Sequence, residues 1–124
     1  MASPTRTKVE FSKAEADYLG AHPLGRLATV SKVGKPDVAP VTFEFDGTYF
    51  YVGGRAMKKT RKYWNVKNGE KRVSFVVDDL ATVNPWAPRA IKVDGTAELV
   101  EDPAEPGGPY LRITPLTHRS WGVS

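Results

Sequence analysis

Between residues 89 and 100 apolar and polar side chains alternate without a break: Ile91, Val93, Gly95, Ala97 and Leu99 fall on one side, Lys92, Asp94, Thr96 and Glu98 on the other. Only an extended chain sorts residues this way, because successive side chains of a strand point to opposite faces. A strand with one apolar face has to lie in a sheet that covers a core. Four more apolar or alternating segments precede it, at 25–31, 37–45, 48–53 and 73–78, and a strand-like pair follows at 110–114 and 117–123. In the second of these Ala39, Val41, Phe43 and Phe45 make the buried face.

The breaks between segments carry turn chemistry. Asp46-Gly47 is a dipeptide suited to a tight hairpin with positive φ, and Val33-Gly34-Lys35-Pro36 marks another turn. The first three strands are therefore expected to form an antiparallel meander. Ser12 and Glu15 stand at capping-box spacing before a short helix, which Gly20 and His22-Pro23 end. A second helix is expected over 57–67, connecting the third strand to the fourth, with Tyr63 on its apolar face and Trp64 on another. Residues 1–10 read as a flexible arm, and 11–124 as one domain with a Pro- and Gly-rich loop at 101–109.

Short antiparallel strands interrupted by one helix point to a small barrel closed on itself, which removes exposed sheet edges. Val41, Phe43, Phe45, Val73, Phe75, Ile91, Val93 and Leu99 would fill its interior. Nothing larger than a metabolite fragment fits inside so small a barrel, so a ligand is expected in an outer groove shared with a second copy of the chain. Zero cysteines exclude disulfides, thiol nucleophiles and thiolate metal sites. His22 and His118, the only histidines, have no second ligand at metal spacing, so no metal is expected. No apolar run spans a membrane and the first residues lack the apolar block of a secretory signal, which makes the cytoplasm the expected compartment.

Net charge is +4, but residues 55–72 hold eight Lys or Arg against Glu70 alone, so this stretch carries +7. Such a concentration suits an anionic partner, and a solvated helix face is its plainer meaning. Within it Lys59 offers a point charge, Thr60 a hydroxyl and Arg61 a planar fork, three groups fit for a phosphate at a helix start. Pro40 interrupts a well-patterned strand and implies an edge or a bulge, where the main chain of Pro40, Val41 and Thr42 could face a planar heterocycle. Edge protection explains the proline equally well. Trp86 and Trp121 lie in Pro- and Gly-flanked segments, where they wall a flat ligand or close the barrel ends. Asp78-Asp79 ends a strand, and turn formation accounts for it. Nucleic-acid binding by the basic stretch ranks last, because Tyr63 and Trp64, adjacent on a helix, cannot both stack on one strand.

Gly25-Arg-Leu-Ala-Thr-Val30, Pro40-Val-Thr-Phe43 with Asp46-Gly47, Lys59-Thr-Arg-Lys62, Arg72-Val-Ser-Phe-Val-Val-Asp-Asp-Leu80, Val93-Asp-Gly-Thr-Ala-Glu98 and Ser120-Trp-Gly122 come in the order found in split β-barrel flavin and deazaflavin oxidoreductases. The resemblance runs from about Phe11 to Val123 and is nearest to the short deazaflavin-dependent branch of the pyridoxamine-phosphate-oxidase-like superfamily. It implies a mainly β, six-stranded antiparallel split barrel with a few short helices, a homodimer, and a cofactor in each of two interface grooves. It implies that Lys59, Thr60 and Arg61 hold the cofactor phosphate, with Met57 and Lys58 nearby. Pro40, Val41 and Thr42 would line the ring, with Trp86 and Trp121 beside it from the opposite subunit. Lys58, Lys62 and Lys67 suit the acidic tail of coenzyme F420 better than the single phosphate of FMN. The expectation is thus an F420-dependent reductase passing a hydride to an electron-poor small molecule. An FMN-binding oxidoreductase and a non-enzymatic cofactor carrier are the alternatives. Tyr49, Tyr51, Tyr110 or solvent would supply the proton.

Overall fold

The alternating segments pair as antiparallel ladders in the computed structural model, which describes residues 9–102 and 107–123. The strands are β1 (Leu24–Val30), β2 (Pro36–Thr42), β3 (Glu44–Phe45), β4 (Phe50–Val52), β5 (Arg72–Thr82), β6 (Ala87–Val100) and β7 (Tyr110–Trp121). They form one sheet in the order β2-β1-β5-β6-β7-β4-β3. Its two terminal strands are the halves of a single bent stretch, 36–45, so the sheet curls round until chain continuity closes it. This is the split barrel.

Seven strands replace the expected six because that stretch breaks at Phe43. Its amide leaves the ladder to donate to the Pro23 carbonyl at 3.3 Å, and β2 pairs only with β1 while β3 pairs only with β4. The expected terminal pair, by contrast, is one strand. Pro115 and Leu116 are absorbed by a bulge opposite Asp94 and Gly95, where a Cβ on Gly95 would lie 2.2 Å from the Thr114 carbonyl oxygen. Only glycine admits that approach.

Inside the barrel lie Val41, Val73, Phe75, Ile91 and Val93, joined by Leu27, Phe50, Leu111 and Ile113. Phe43, Phe45 and Leu99 pack against this core at its margin. Phe50 is its aromatic centre, stacked on Phe45 at 4.5 Å and meeting Phe75 at 5.3 Å. The capping box forms as read: Ser12 and Glu15 exchange hydrogen bonds ahead of helix α1 (Lys13–Ala21). The Asp46-Gly47 turn forms too, with Gly47 at φ +99° and Asp46 Oδ1 accepting from the Thr48 and Tyr49 amides.

The expected helix over 57–67 is two pieces. A 3-10 turn, Met57–Lys59, is followed by α2 (Arg61–Lys67), with Thr60 extended between them at φ −106° and ψ 149°. Tyr63 and Val66 bury into the core and Trp64 is exposed. Asp78-Asp79 makes no turn: β5 runs through both to Thr82, because Asp79 lies opposite Arg89 in the ladder and pairs with it. No helix among the described residues is long and apolar enough to cross a membrane.

Candidate functional site

Two features meet at the break in the bent strand. β2 is a terminal strand with a free outer edge, as Pro40 requires, and its Pro40 and Thr42 are exposed while Val41 is buried. Any contact from Val41 to an outer ligand is therefore a main-chain one. Beside Thr42 opens a groove of about 450 Å³, lined by Glu44, Tyr51, Gly53, Gly108 and Tyr110. Tyr51 and Tyr110 are two of the tyrosines expected as proton sources, whereas Gly53 and Gly108 were not expected in a site, because only the fold brings the end of β4 and the start of β7 to the β2–β3 break.

Gly53 leads out of β4 into the basic segment. Met57 is buried, so it too could meet a ligand only through its main chain. Thr60 has its hydroxyl committed to the helix: it donates to the Met57 carbonyl at 2.7 Å, and its oxygen accepts from the Tyr63 amide at 3.4 Å. This N-cap holds Lys59 and Arg61 on either side of it, both exposed. Among the described residues the side chains of Arg55, Lys58, Lys59 and Arg61 form no hydrogen bond or ion pair, whereas most other cations have a carboxylate, as in Lys13–Asp17, Arg72–Glu70 and Arg89–Asp79. The segment that holds these four exposed cations starts from Gly53 in the groove wall, but none of the four lines the groove itself.

The cluster does not continue along α2. Lys67 lies 3.2 Å from the Tyr63 hydroxyl and 3.6 Å from Glu101, which raise its pKa. Lys62 is half-buried, and burial lowers its pKa despite Asp37 nearby. Trp64 donates to the Lys58 carbonyl at 2.6 Å, tying the two pieces of the segment together.

Trp86 and Trp121 are not brought to this cluster within one chain. Asn65 of α2 bonds Thr29, next to the Ala28–Ser74 pair, and from Ser74 to Thr82 the strand runs about 25 Å further before the turn that holds Trp86. Trp121 pairs with Ala90 on that same distant side. Both rings are exposed, Trp86 to 69%.

Of the three tyrosines, Tyr51 donates to Asp46 at 2.6 Å, and this bond pushes its pKa up to about 12. Its proton is thereby held by a carboxylate. Tyr49 lies under the Arg112 guanidinium at 5.1 Å. Tyr110 lines the groove, and its hydroxyl has no partner among the described residues. No group of His and carboxylate side chains among the described residues could hold a metal ion.

The family described as pyridoxamine 5'-phosphate oxidase matches residues 11–110, which span the bent strand, the groove and the basic segment. The chain belongs to this family. The chain is 38% identical over 121 residues to 5a,11a-dehydrotetracycline/5a,11a-dehydrooxytetracycline reductase of Streptomyces rimosus, covering 91% of this chain and 84% of the relative. Among solved structures it is similar to a conserved hypothetical protein of Mycobacterium tuberculosis, at 25% identity, 96% and 89% coverage and a TM-score of 0.70. A FAD-binding protein of Mesorhizobium loti shares the fold at 22% identity, 90% and 95% coverage and a TM-score of 0.68.

These findings correct the cofactor expectation from F420 to a flavin, and the F420-dependent reductase reading with it. The physical ground for F420 was a row of surplus lysines for an acidic tail. In the fold Lys67 faces Glu101 at 3.6 Å and Lys62 is half-buried, so the expected row of open lysines does not form.

Proposed function

We propose that the protein is an FMN-binding oxidoreductase that reduces an electron-poor double bond in a small polycyclic substrate. The observation that carries this reading is the 38% identity, along 91% of the chain, to a reductase of dehydrotetracyclines. When bound, the reduced flavin supplies the hydride chemistry. The chain's part is to hold and orient. Lys59 and Arg61 pair with the phosphate, Lys58 stands beside them, and Thr60 sets their spacing as the helix cap. The main chain of Pro40, Val41 and Thr42 borders the ring, and Tyr110 is the one groove tyrosine free to hand on a proton.

The working unit is a homodimer. Trp86 and Trp121 lie too far from Lys59 to serve the same groove, so in this reading they cover the groove of a second copy, giving two equivalent sites. Exclusion of water from the ring needs such a cover, since the groove of one chain is open.

Titration of FMN fluorescence with the purified chain is expected to give one FMN per chain. Anaerobic mixing of the photoreduced complex with a dehydrotetracycline is then expected to restore oxidised-flavin absorbance in a single turnover. Absence of FMN binding, or a reduced complex that no conjugated enone reoxidises, would overturn the reading. Light scattering tests the dimer: a 13.6 kDa species that binds FMN with unchanged affinity refutes the shared groove.

A further inference from the structure

Polar side chains that do not line the groove converge on one carboxylate. Tyr18 Oη donates to Asp79 Oδ1 at 2.8 Å, Arg89 Nε donates to the same oxygen at 2.9 Å, and Arg89 Nη2 donates to Oδ2 at 2.5 Å. Nε2 of His22 lies 3.1 Å from Oδ2, and its Nδ1 lies 2.8 Å from the Tyr18 carbonyl oxygen. The Tyr18 and His22 rings stack at 4.1 Å. Asp79 thus joins α1, the residue that follows it, β5 and β6.

The joint sits where the β5–β6 ribbon leaves the barrel. β1 pairs with β5 only as far as Val76, and the β7 ladder stops at Ala90. The pairs Asp79–Arg89, Leu80–Pro88 and Thr82–Ala87 lie beyond both, in a ribbon two strands wide. Such a ribbon is marginally stable in water by itself. It nevertheless carries three exposed apolar side chains, Leu80, Val83 and Trp86.

We propose that Asp79 is a positioning residue that holds this ribbon at the angle at which Trp86 enters the groove of a second copy of the chain. The proposal rests on the shared-groove reading above. Its physical basis is leverage. A guanidinium fork bound to both carboxylate oxygens accepts only a narrow range of orientations, and Tyr18 and His22 fix the carboxylate from the α1 side. A tilt of about 10° at Asp79 displaces a tip about 10 Å away by roughly 2 Å, more than a bound ring tolerates in a site that depends on orientation.

Hydrogen exchange and FMN titration on the full chain test it. In Asp79→Asn the amides of 80–88 are expected to exchange about tenfold faster while those of β4 and the middle of β6 keep their protection. FMN is expected to bind about tenfold more weakly, and adding Trp86→Ala should weaken it less than about twofold further, since both changes remove one effect. Tyr18→Phe keeps the packed ring and deletes one hydrogen bond, so it should move the same readouts by about two- to threefold, and it decides the matter should Asp79→Asn fail to fold. Unchanged exchange over 80–88 overturns the latch. Faster exchange with wild-type FMN affinity overturns instead the placing of Trp86 in the groove, and losses that multiply in the double variant overturn the coupling between them.

Discussion

Two charged regions of this barrel are built on opposite plans. At the root of the β5–β6 ribbon Arg89 has a partner: Asp79 takes it together with Tyr18 and His22, and the Arg89 bonds hold the Asp79 carboxyl well below the usual carboxylate range. In the segment after β4, Arg55, Lys58, Lys59 and Arg61 face solvent and none forms an ion pair among the described residues, Glu101 acting on Lys58 only from a distance. Charges that a fold uses for its own geometry are neutralised inside it, and charges left open are available to a ligand. Sequence alone shows the positive charge of the open segment but not which charges of either region are paired.

The widest break in this contrast comes from Lys59→Ala with Arg61→Ala. Each loses a charge-assisted hydrogen bond of about 1.5–3 kcal/mol, so the pair should weaken FMN by roughly 10²- to 10⁴-fold. The melting temperature should hardly move, because neither side chain bonds to the fold. Calorimetry and FMN titration on one sample check both halves, and a large loss of stability would return these residues to the structural class. Thr60 sharpens the line between the regions, since it lies in the open segment yet serves the helix. Thr60→Ala is expected to cost about 1 kcal/mol in urea unfolding, with FMN affinity within about threefold, and Thr60→Ser should restore stability.

The pH dependence of the closed region comes next in size. Asp79 has a folded-state pKa below the unfolded value of about 3.9, so the stability it supplies is complete above that pH and is lost as pH falls toward the folded value. Melting temperatures of wild type and Asp79→Asn should differ at neutral pH, and the gap should start to narrow only as pH falls below about 4. A constant gap across that range would mean that the carboxylate charge is not what the cluster uses. The smallest effect is spectroscopic. Tyr51, whose pKa is pushed up to about 12 by Asp46, should ionise late, and Tyr51→Phe should remove a phenolate step from the alkaline end of an ultraviolet titration.

Patterns with a period were legible in the sequence, and exceptions to a period were not. The strand at 89–100, the capping box and the Asp46-Gly47 turn depend on residues within a few positions of one another, and each formed where it was read. The break at Phe43 depends on a carbonyl twenty residues away, Pro23, and no local feature announces it. Asp78-Asp79 carries turn chemistry by composition, but a cross-strand arginine overrides it. Thr60 was legible as a phosphate-type residue and is a cap, since a hydroxyl between two cations satisfies either description until the Met57 carbonyl is found next to it. In the candidate site, the basic cluster could be read from charge alone. The Tyr110 wall of the groove could not, because nothing along the chain connects it to Thr42.

The order of the sheet also constrains how the molecule is made. β7 is hydrogen-bonded to β6 on one side and β4 on the other, so the circuit of strands stays open until residues 110–121 have left the ribosome. At a synthesis rate of about 5–20 residues per second, β6 shows a bare edge for about one to four seconds, and β4 for longer. Those edges are where a chaperone would bind, or where two growing chains would join wrongly. Phe50 and Ile113, partners on one rung of the finished ladder, are sixty-three positions apart in the chain, and closing so long a loop belongs to the slow class of folding events.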